Sequence, residues 1–86
     1  MMADVLVYTT GYCPYCTRAK SLLKSKGVAF EEIDVSEDFE KRRWLVQETG
    51  MQTVPQIFIR GKSIGGYAEL ADLDSTGELD QLLKNS

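Results

Sequence analysis

An α/β fold with a four-stranded mixed sheet and helices on both faces is what this 86-residue chain predicts. Three observations lead there. Asp4-Val5-Leu6-Val7-Tyr8-Thr9 is apolar nearly throughout and β-branched, which reads as a strand buried on both faces. A helix-like and then a second strand-like segment follow it, and a strand–helix–strand unit in one sheet crosses over right-handed with its strands parallel. Gln56-Ile57-Phe58-Ile59 and Ser63-Ile64 flank a short turn at Arg60-Gly61-Lys62, the pattern of an antiparallel hairpin.

The elements follow in order. Thr10-Gly11-Tyr12 is a turn after the first strand. Pro14 suits the first helical position, where its missing N–H costs nothing. Cys16, Ala19, Leu22 and Leu23 then share one helical face, with Arg18, Lys20, Lys24 and Lys26 largely off it. Gly27 ends that helix. Val28–Val35 alternates loosely as a second strand. Ser36 is placed to cap a second helix, with Glu37 and Asp38 complementing its dipole. Phe39, Leu45 and Val46 form that helix's apolar stripe, and Gly50 stops it. Gly65-Gly66 opens a third helix through Tyr67, Leu70, Ala71 and Leu73. Ser75-Thr76-Gly77 breaks it, and Glu78–Lys84 makes a last short helix. The order β-α-β-α-β-β-α is the thioredoxin-like architecture in its short form, and residues 1–86 make one domain.

Composition narrows the function. Ten Lys plus Arg against thirteen Asp plus Glu give a net charge of −3. No basic tract stands out, so nucleic acid and acidic membrane are poor partners. The chain has no histidine, which removes His-assisted catalysis and His-containing metal sites. No apolar run reaches the ~18 residues of a membrane helix. Met1-Met2-Ala3-Asp4 has no basic stretch and leads into too short an apolar run for a secretory leader. A cytoplasmic setting follows, where a cysteine pair is catalytic more often than structural.

The two cysteines of the chain stand two residues apart in Cys13-Pro14-Tyr15-Cys16, where strand gives way to helix. Only a thiolate attacks a disulfide. The Cys13 sulfur faces a helix N-terminus, where negative charge is favoured, and the N–H groups of Tyr15 and Cys16 can donate to it. Cys16 lies one turn inside and stays a thiol until a mixed disulfide on Cys13 gives it a target. The plainer readings fit less well. A disulfide closing so small a loop stabilises little, and zinc needs four ligands.

Two other segments carry a functional and a plain reading each. Val54-Pro55 precedes a strand. Either the bond is cis and leaves the Val54 backbone free to pair with an extended peptide, or it is a turn before an edge strand. Gly65-Gly66 either lets a ligand approach the backbone, with free N–H groups following to hold a carboxylate, or is a tight hairpin exit. Trp44, beside Arg43, reads as surface packing, and Phe39 is a weak signal that carries no assignment.

Cys13-Pro14-Tyr15-Cys16, Thr53-Val54-Pro55-Gln56-Ile57-Phe58-Ile59 and Ile64-Gly65-Gly66, at these separations, resemble a dithiol glutaredoxin of the short bacterial class, from Val5 to about Leu83. The resemblance implies glutathione-dependent thiol–disulfide exchange, with Cys13 as nucleophile, Cys16 as resolver and Pro55 as a cis-proline beside them. It implies that Thr53 and Val54 meet the cysteinyl part of glutathione. Gly66, Tyr67 and Ala68 would take the γ-glutamyl carboxylate and Glu69 its amine. Arg42 would reach the glycine carboxylate, and Tyr15 would pack along the ligand, while the Tyr67 ring covers it or only packs. Two positions depart from the pattern. Thr10 stands where many relatives carry lysine, a lost charge worth about 0.5–1 kcal/mol at a partly exposed site. Ala68-Glu69 stands where relatives often have two acidic residues.

The implied co-substrate is glutathione, with no metal. The implied partners are disulfide-containing proteins, a ribonucleotide reductase among the candidates, acted on by a monomer. Two alternatives stay open. One is a redoxin reduced directly by a flavoprotein reductase, though its tryptophan-rich signature is not visible here. The other is an iron–sulfur carrier bridging a cluster through Cys13 and glutathione, against which Pro14 argues.

Overall fold

The computed structural model describes residues 5–11 and 13–84. Asp4, placed in the first strand, and Tyr12, placed in the first turn, lie outside them, as does the Met1–Ala3 stretch. The elements are β1 (Val5–Thr9), α1 (Pro14–Ser25), β2 (Glu31–Asp34), α2 (Phe39–Thr49), β3 (Gln56–Ile59), β4 (Lys62–Gly65), α3 (Tyr67–Thr76) and α4 (Glu78–Lys84). The sheet order is β2-β1-β3-β4. β1 and β2 run parallel, Val7 opposite Glu32, and β3 runs antiparallel to both β1 and β4. This is the mixed four-stranded sheet that the sequence predicts.

Strand alternation divides the core in two. Val5, Val7, Ile57 and Ile59 point to one face and pack with Ala19 and Leu23 of α1, Leu70 of α3 and Leu79 of α4. Tyr8 and Phe58 point to the other and pack with Val35, just after β2, and with Leu45 of α2. Both faces of β1 and β3 are therefore buried, and both strands read as continuous apolar runs. Edge strand β2, with Glu31, Glu32 and Asp34, carries the charges that guard an open edge. Trp44 stacks on Phe58 at 5.9 Å and lies 6.1 Å from Tyr8, so it seals the second cluster from outside, as expected of surface packing.

Four boundaries differ from the sequence reading. The second strand occupies only Glu31–Asp34, not Val28–Val35, because the Val28 N–H bonds back to the Leu23 carbonyl at the end of α1. Ser36 is not the cap of α2. The Asp34 carboxylate takes both its N–H and its hydroxyl, and Asp38 caps instead, accepting the Lys41 N–H at 3.0 Å. A local side-chain turn competed with the helix and moved its start by two residues. The hairpin also pairs more fully than Ser63-Ile64, and α3 continues through Thr76 so that Gly77 alone breaks it.

Candidate active site

The site lies at the sheet end where β1 hands over to α1. Cys13 is the residue that caps α1. Its backbone is extended, Pro14 follows at the first helical position, and its sulfur accepts the Cys16 N–H at 3.2 Å. The cap role normally filled by a serine or aspartate oxygen is taken here by sulfur. Negative charge on that sulfur meets both a donated hydrogen and the positive end of the helix. Cys13 is partly exposed and Cys16 is 2% exposed, so one thiol meets solvent and its partner does not.

Burial is also the main reason that the Cys16 thiol is pushed up to about 12, and its hydrogen bond to Cys13 adds to this. The Thr10 backbone and Lys20 act in the opposite direction. Cys16 is therefore a neutral thiol at rest.

Across from Cys13, the Val54–Pro55 peptide is cis, and the Val54 carbonyl accepts the Cys13 thiol at 3.7 Å. The third segment joins through backbone proximity. A Cβ added to Gly66 would sit 3.3 Å from the Pro55 carbonyl oxygen, so the two backbones approach closely and a side chain there would need Pro55 to give by a few tenths of an ångström. Gly66 precedes α3, whose first-turn N–H groups, those of Tyr67 and Ala68 included, lack helical acceptors. The Tyr15 and Tyr67 rings face each other at 6.2 Å, with the Arg18 guanidinium 5.3 Å from the centre of Tyr15. Three stretches far apart in the chain thus meet around one sulfur.

Arg42 stands apart from this ring of contacts. It lines a cleft of about 260 Å³ with Arg43, Thr53, Val54 and Gln56. The cleft extends the site along α2 and brings a guanidinium to the side of Thr53-Val54. Glu69 is turned inward: its Oε1 accepts the Gly66 N–H at 2.7 Å, half of a capping box whose other half a glycine cannot supply. The carboxylate assigned to a ligand amine is thus also a helix cap.

Gln56 carries a part that sequence reasoning missed. Its side-chain amide donates to the carbonyls of Met51 and Thr53 at 2.9 and 3.0 Å, holding the loop that delivers Val54 to Cys13. It is 2% exposed, and its Oε1 has no partner among the described residues. The signal available in sequence was a lone amide in an otherwise apolar strand directly after Pro55. Among the described residues, no group of three or more potential ligands is arranged to hold a metal.

A partly exposed sulfur at a helix start, a buried second thiol one turn on and the Val54 carbonyl against the first sulfur define a dithiol thiol–disulfide oxidoreductase of thioredoxin-like fold. Comparison with known proteins narrows the class. The glutaredoxin family profile matches residues 5–64. Glutaredoxin 3 of Escherichia coli strain K12 is 51% identical over 83 residues, which covers 96% of this chain and all of that protein. A glutaredoxin of Pseudomonas aeruginosa is 48% identical over 82 residues, 95% of this chain and 98% of that one. Among solved structures, a buckwheat glutaredoxin–glutathione complex superposes with a TM-score of 0.92 at 31% identity, covering 96% of this chain and 78% of that one. The glutaredoxin of Brucella melitensis gives 0.86 at 48% identity, with 96% and 90% covered. The chain belongs to the glutaredoxin family, as a glutathione-dependent thiol–disulfide oxidoreductase.

Proposed function

We propose that Cys13 is the attacking thiolate and Cys16 the resolving thiol of this exchange, and that glutathione lies between the Val54 backbone and the start of α3. The observation that carries the reading is the asymmetry of the pair: Cys13 Sγ is partly exposed and accepts a helix N–H at 3.2 Å, while Cys16 is buried and neutral. The Cys13 thiolate attacks the glutathionyl sulfur of a mixed disulfide. The substrate leaves as a thiolate that takes up a proton, and glutathione stays joined to Cys13. A second glutathione thiolate then attacks the glutathionyl sulfur, releasing oxidised glutathione and the Cys13 thiolate. With a protein disulfide, Cys16 attacks Cys13 instead, and a Cys13–Cys16 disulfide forms as the protein thiol leaves.

The remaining assignments are those that the family resemblance implies, and the geometry supports them. Thr53, Val54 and cis Pro55 present an extended edge to the cysteinyl part of glutathione. Gly66, Tyr67 and Ala68 offer backbone N–H groups at a helix start to the γ-glutamyl carboxylate. Because Glu69 already engages the Gly66 N–H, Tyr67 and Ala68 supply the free donors and Glu69 faces the amine. Arg42 reaches the glycine carboxylate along the cleft, and Tyr15 packs on the ligand. The reading includes residues 1–86 acting as one domain, a monomer, in a cytoplasmic setting rich in glutathione, with protein disulfides such as that of a ribonucleotide reductase as acceptors. Among the described residues, no helix is long and apolar enough to cross a membrane.

A hydroxyethyl-disulfide assay coupled to glutathione and its reductase tests this. Cys13→Ser is expected to abolish turnover, and Cys16→Ser to keep much of it. Equal loss in both variants would overturn the two roles.

A further inference from the structure

A charged network lies beside the resolving thiol and no step above uses it. Lys20 follows Cys16 by four residues on α1, which puts it one turn further on at the edge of the buried face, and a helical side chain leans back over the turn before it. Its ammonium is not free. It is 3.0 Å from Glu32 Oε2 on β2, and the same oxygen accepts the buried Thr9 hydroxyl of β1 at 2.9 Å. Glu32 stands opposite Val7 in the parallel pair, which turns it to the α1 side of the sheet, as Thr9 is turned. The Thr9 and Lys20 contacts fix one carboxylate oxygen, and that oxygen fixes the ammonium.

We propose that Lys20 is a positioning residue for the resolving step: held by Glu32 and Thr9, its positive charge stabilises the thiolate that Cys16 becomes when it attacks the mixed disulfide on Cys13. The proposal rests on reading Cys16 as the resolver. Burial keeps that thiol neutral, so the dithiol route needs some group that favours its ionised form. The ionisable groups that act on Cys16 are Cys13, at the cap of α1, and Lys20, within it, and the Thr10 backbone just after β1 adds a hydrogen bond. On β2, Glu32 pairs with Lys20, and the Asp34 charge acts on Glu32. In the step itself, Cys16 gives its proton to solvent and its sulfur bonds to Cys13 Sγ. The Cys13–substrate bond breaks, and the leaving thiolate takes up a proton. The two enzyme sulfurs are oxidised by the two electrons that reduce the substrate sulfur.

Glu32 tempers this charge, and the experiment follows from that. Breaking the ion pair from either end removes the same structural contact but changes the charge near Cys16 in opposite senses. The reduced protein is mixed with excess oxidised glutathione, quenched with acid at intervals and weighed by mass spectrometry from pH 6 to 9. The readouts are the formation of the glutathionylated species and its decay to the internal disulfide. A more ionised thiol is also a weaker nucleophile, so a tenfold change in thiolate fraction moves the rate only about threefold. Lys20→Met is expected to slow decay about two- to threefold and shift its pH profile upward, with formation unchanged. Glu32→Gln is expected to speed decay and shift the profile downward, and Lys20→Arg to stay close to the parent. Decay that changes in the same direction in Lys20→Met and Glu32→Gln, or in neither, overturns the proposal. Hydroxyethyl-disulfide turnover in the Cys16→Ser background tests the underlying function separately, since Lys20→Met leaves it unchanged if only Cys16 is affected.

Discussion

The carboxylate of Glu69 accepts the backbone N–H of Gly66 at 2.7 Å, closing the first turn of α3 against the end of β4. One acidic side chain therefore serves the helix and stands where the γ-glutamyl end of glutathione is proposed to bind. The contact depends on the preceding glycine. Gly65 has φ +114, and a Cβ there would lie 2.8 Å from Glu69 Cγ and Oε1.

Glu69→Ala is expected to cost about 0.5–2 kcal/mol of stability through the lost cap, with Glu69→Gln costing less because the amide oxygen still accepts. Gly65→Ala is expected to cost more, adding about 1–3 kcal/mol of backbone strain to the displacement of Glu69. Urea unfolding midpoints rank the three. Gly65→Ala as stable as the parent would contradict the close approach.

Gln56 supplies the second prediction. Replacing it with leucine leaves the Met51 and Thr53 carbonyls without their donor, at about 1–3 kcal/mol if both stay dry. Gln56→Glu should be worse, because a carboxylate faces two carbonyl oxygens. Both variants are expected to raise KM for a glutathionylated peptide more than they lower kcat, since the loop presents Val54 to the ligand. Unchanged stability and KM in Gln56→Leu would show that the loop is held by other contacts.

The Cys16 thiol predicts a pH signature of stability. Its ordinary value is 9.0, and in the fold it is raised to about 12. Between these values the unfolded chain has lost the proton that the folded chain keeps, so unfolding is favoured as pH rises. The contribution is complete below pH 9 and is lost progressively as pH climbs toward 12. The difference in unfolding free energy between the parent and Cys16→Ala, followed from pH 7 to 10.5, is expected to shrink above pH 9. A constant difference would mean that the folded thiol is not desolvated.

Thr10 is partly buried, its backbone bonds to Cys16, and the family resemblance leads to the expectation of a lysine in its place. Thr10→Lys adds a cation near Cys13 and the groove. At about 0.5–1 kcal/mol for a partly exposed charge, the apparent affinity for glutathione disulfides should improve roughly two- to fivefold at low ionic strength. The gain should fade in about 0.5 M salt, where the screening length falls below the separation of surface groups. An affinity that does not respond to the substitution would remove electrostatics from the account of this position.

Much of the fold is legible in the chain because its signals are local. Continuous apolar runs at Val5–Thr9 and Gln56–Ile59 mark strands covered on both faces, and Pro14, Gly50 and Gly77 punctuate the helices where the structure ends or begins them. The boundaries that shifted did so through side chains competing for the same backbone groups. Asp34 captured Ser36, and Asp38 took over the cap. Nothing in composition ranks one such contact above the other.

The site divides the same way. Sequence alone determined the dithiol, its order and its place at a helix start, because spacing and helix geometry fix which sulfur faces the N–H groups. It also singled out Val54-Pro55 and Gly65-Gly66, while leaving each with two readings. Only the tertiary structure decided that these segments converge, with the Val54 carbonyl 3.7 Å from Cys13 and Gly66 against Pro55. It alone assigned Gln56 to the loop, Glu69 to the helix cap and the Lys20–Glu32–Thr9 network to the side of Cys16. Those roles arise from partners 3 to 41 positions apart in the chain. A side chain's hydrogen-bonding capacity is written in its identity, but the partner that uses it is set by the sheet register and the packing of helices across it.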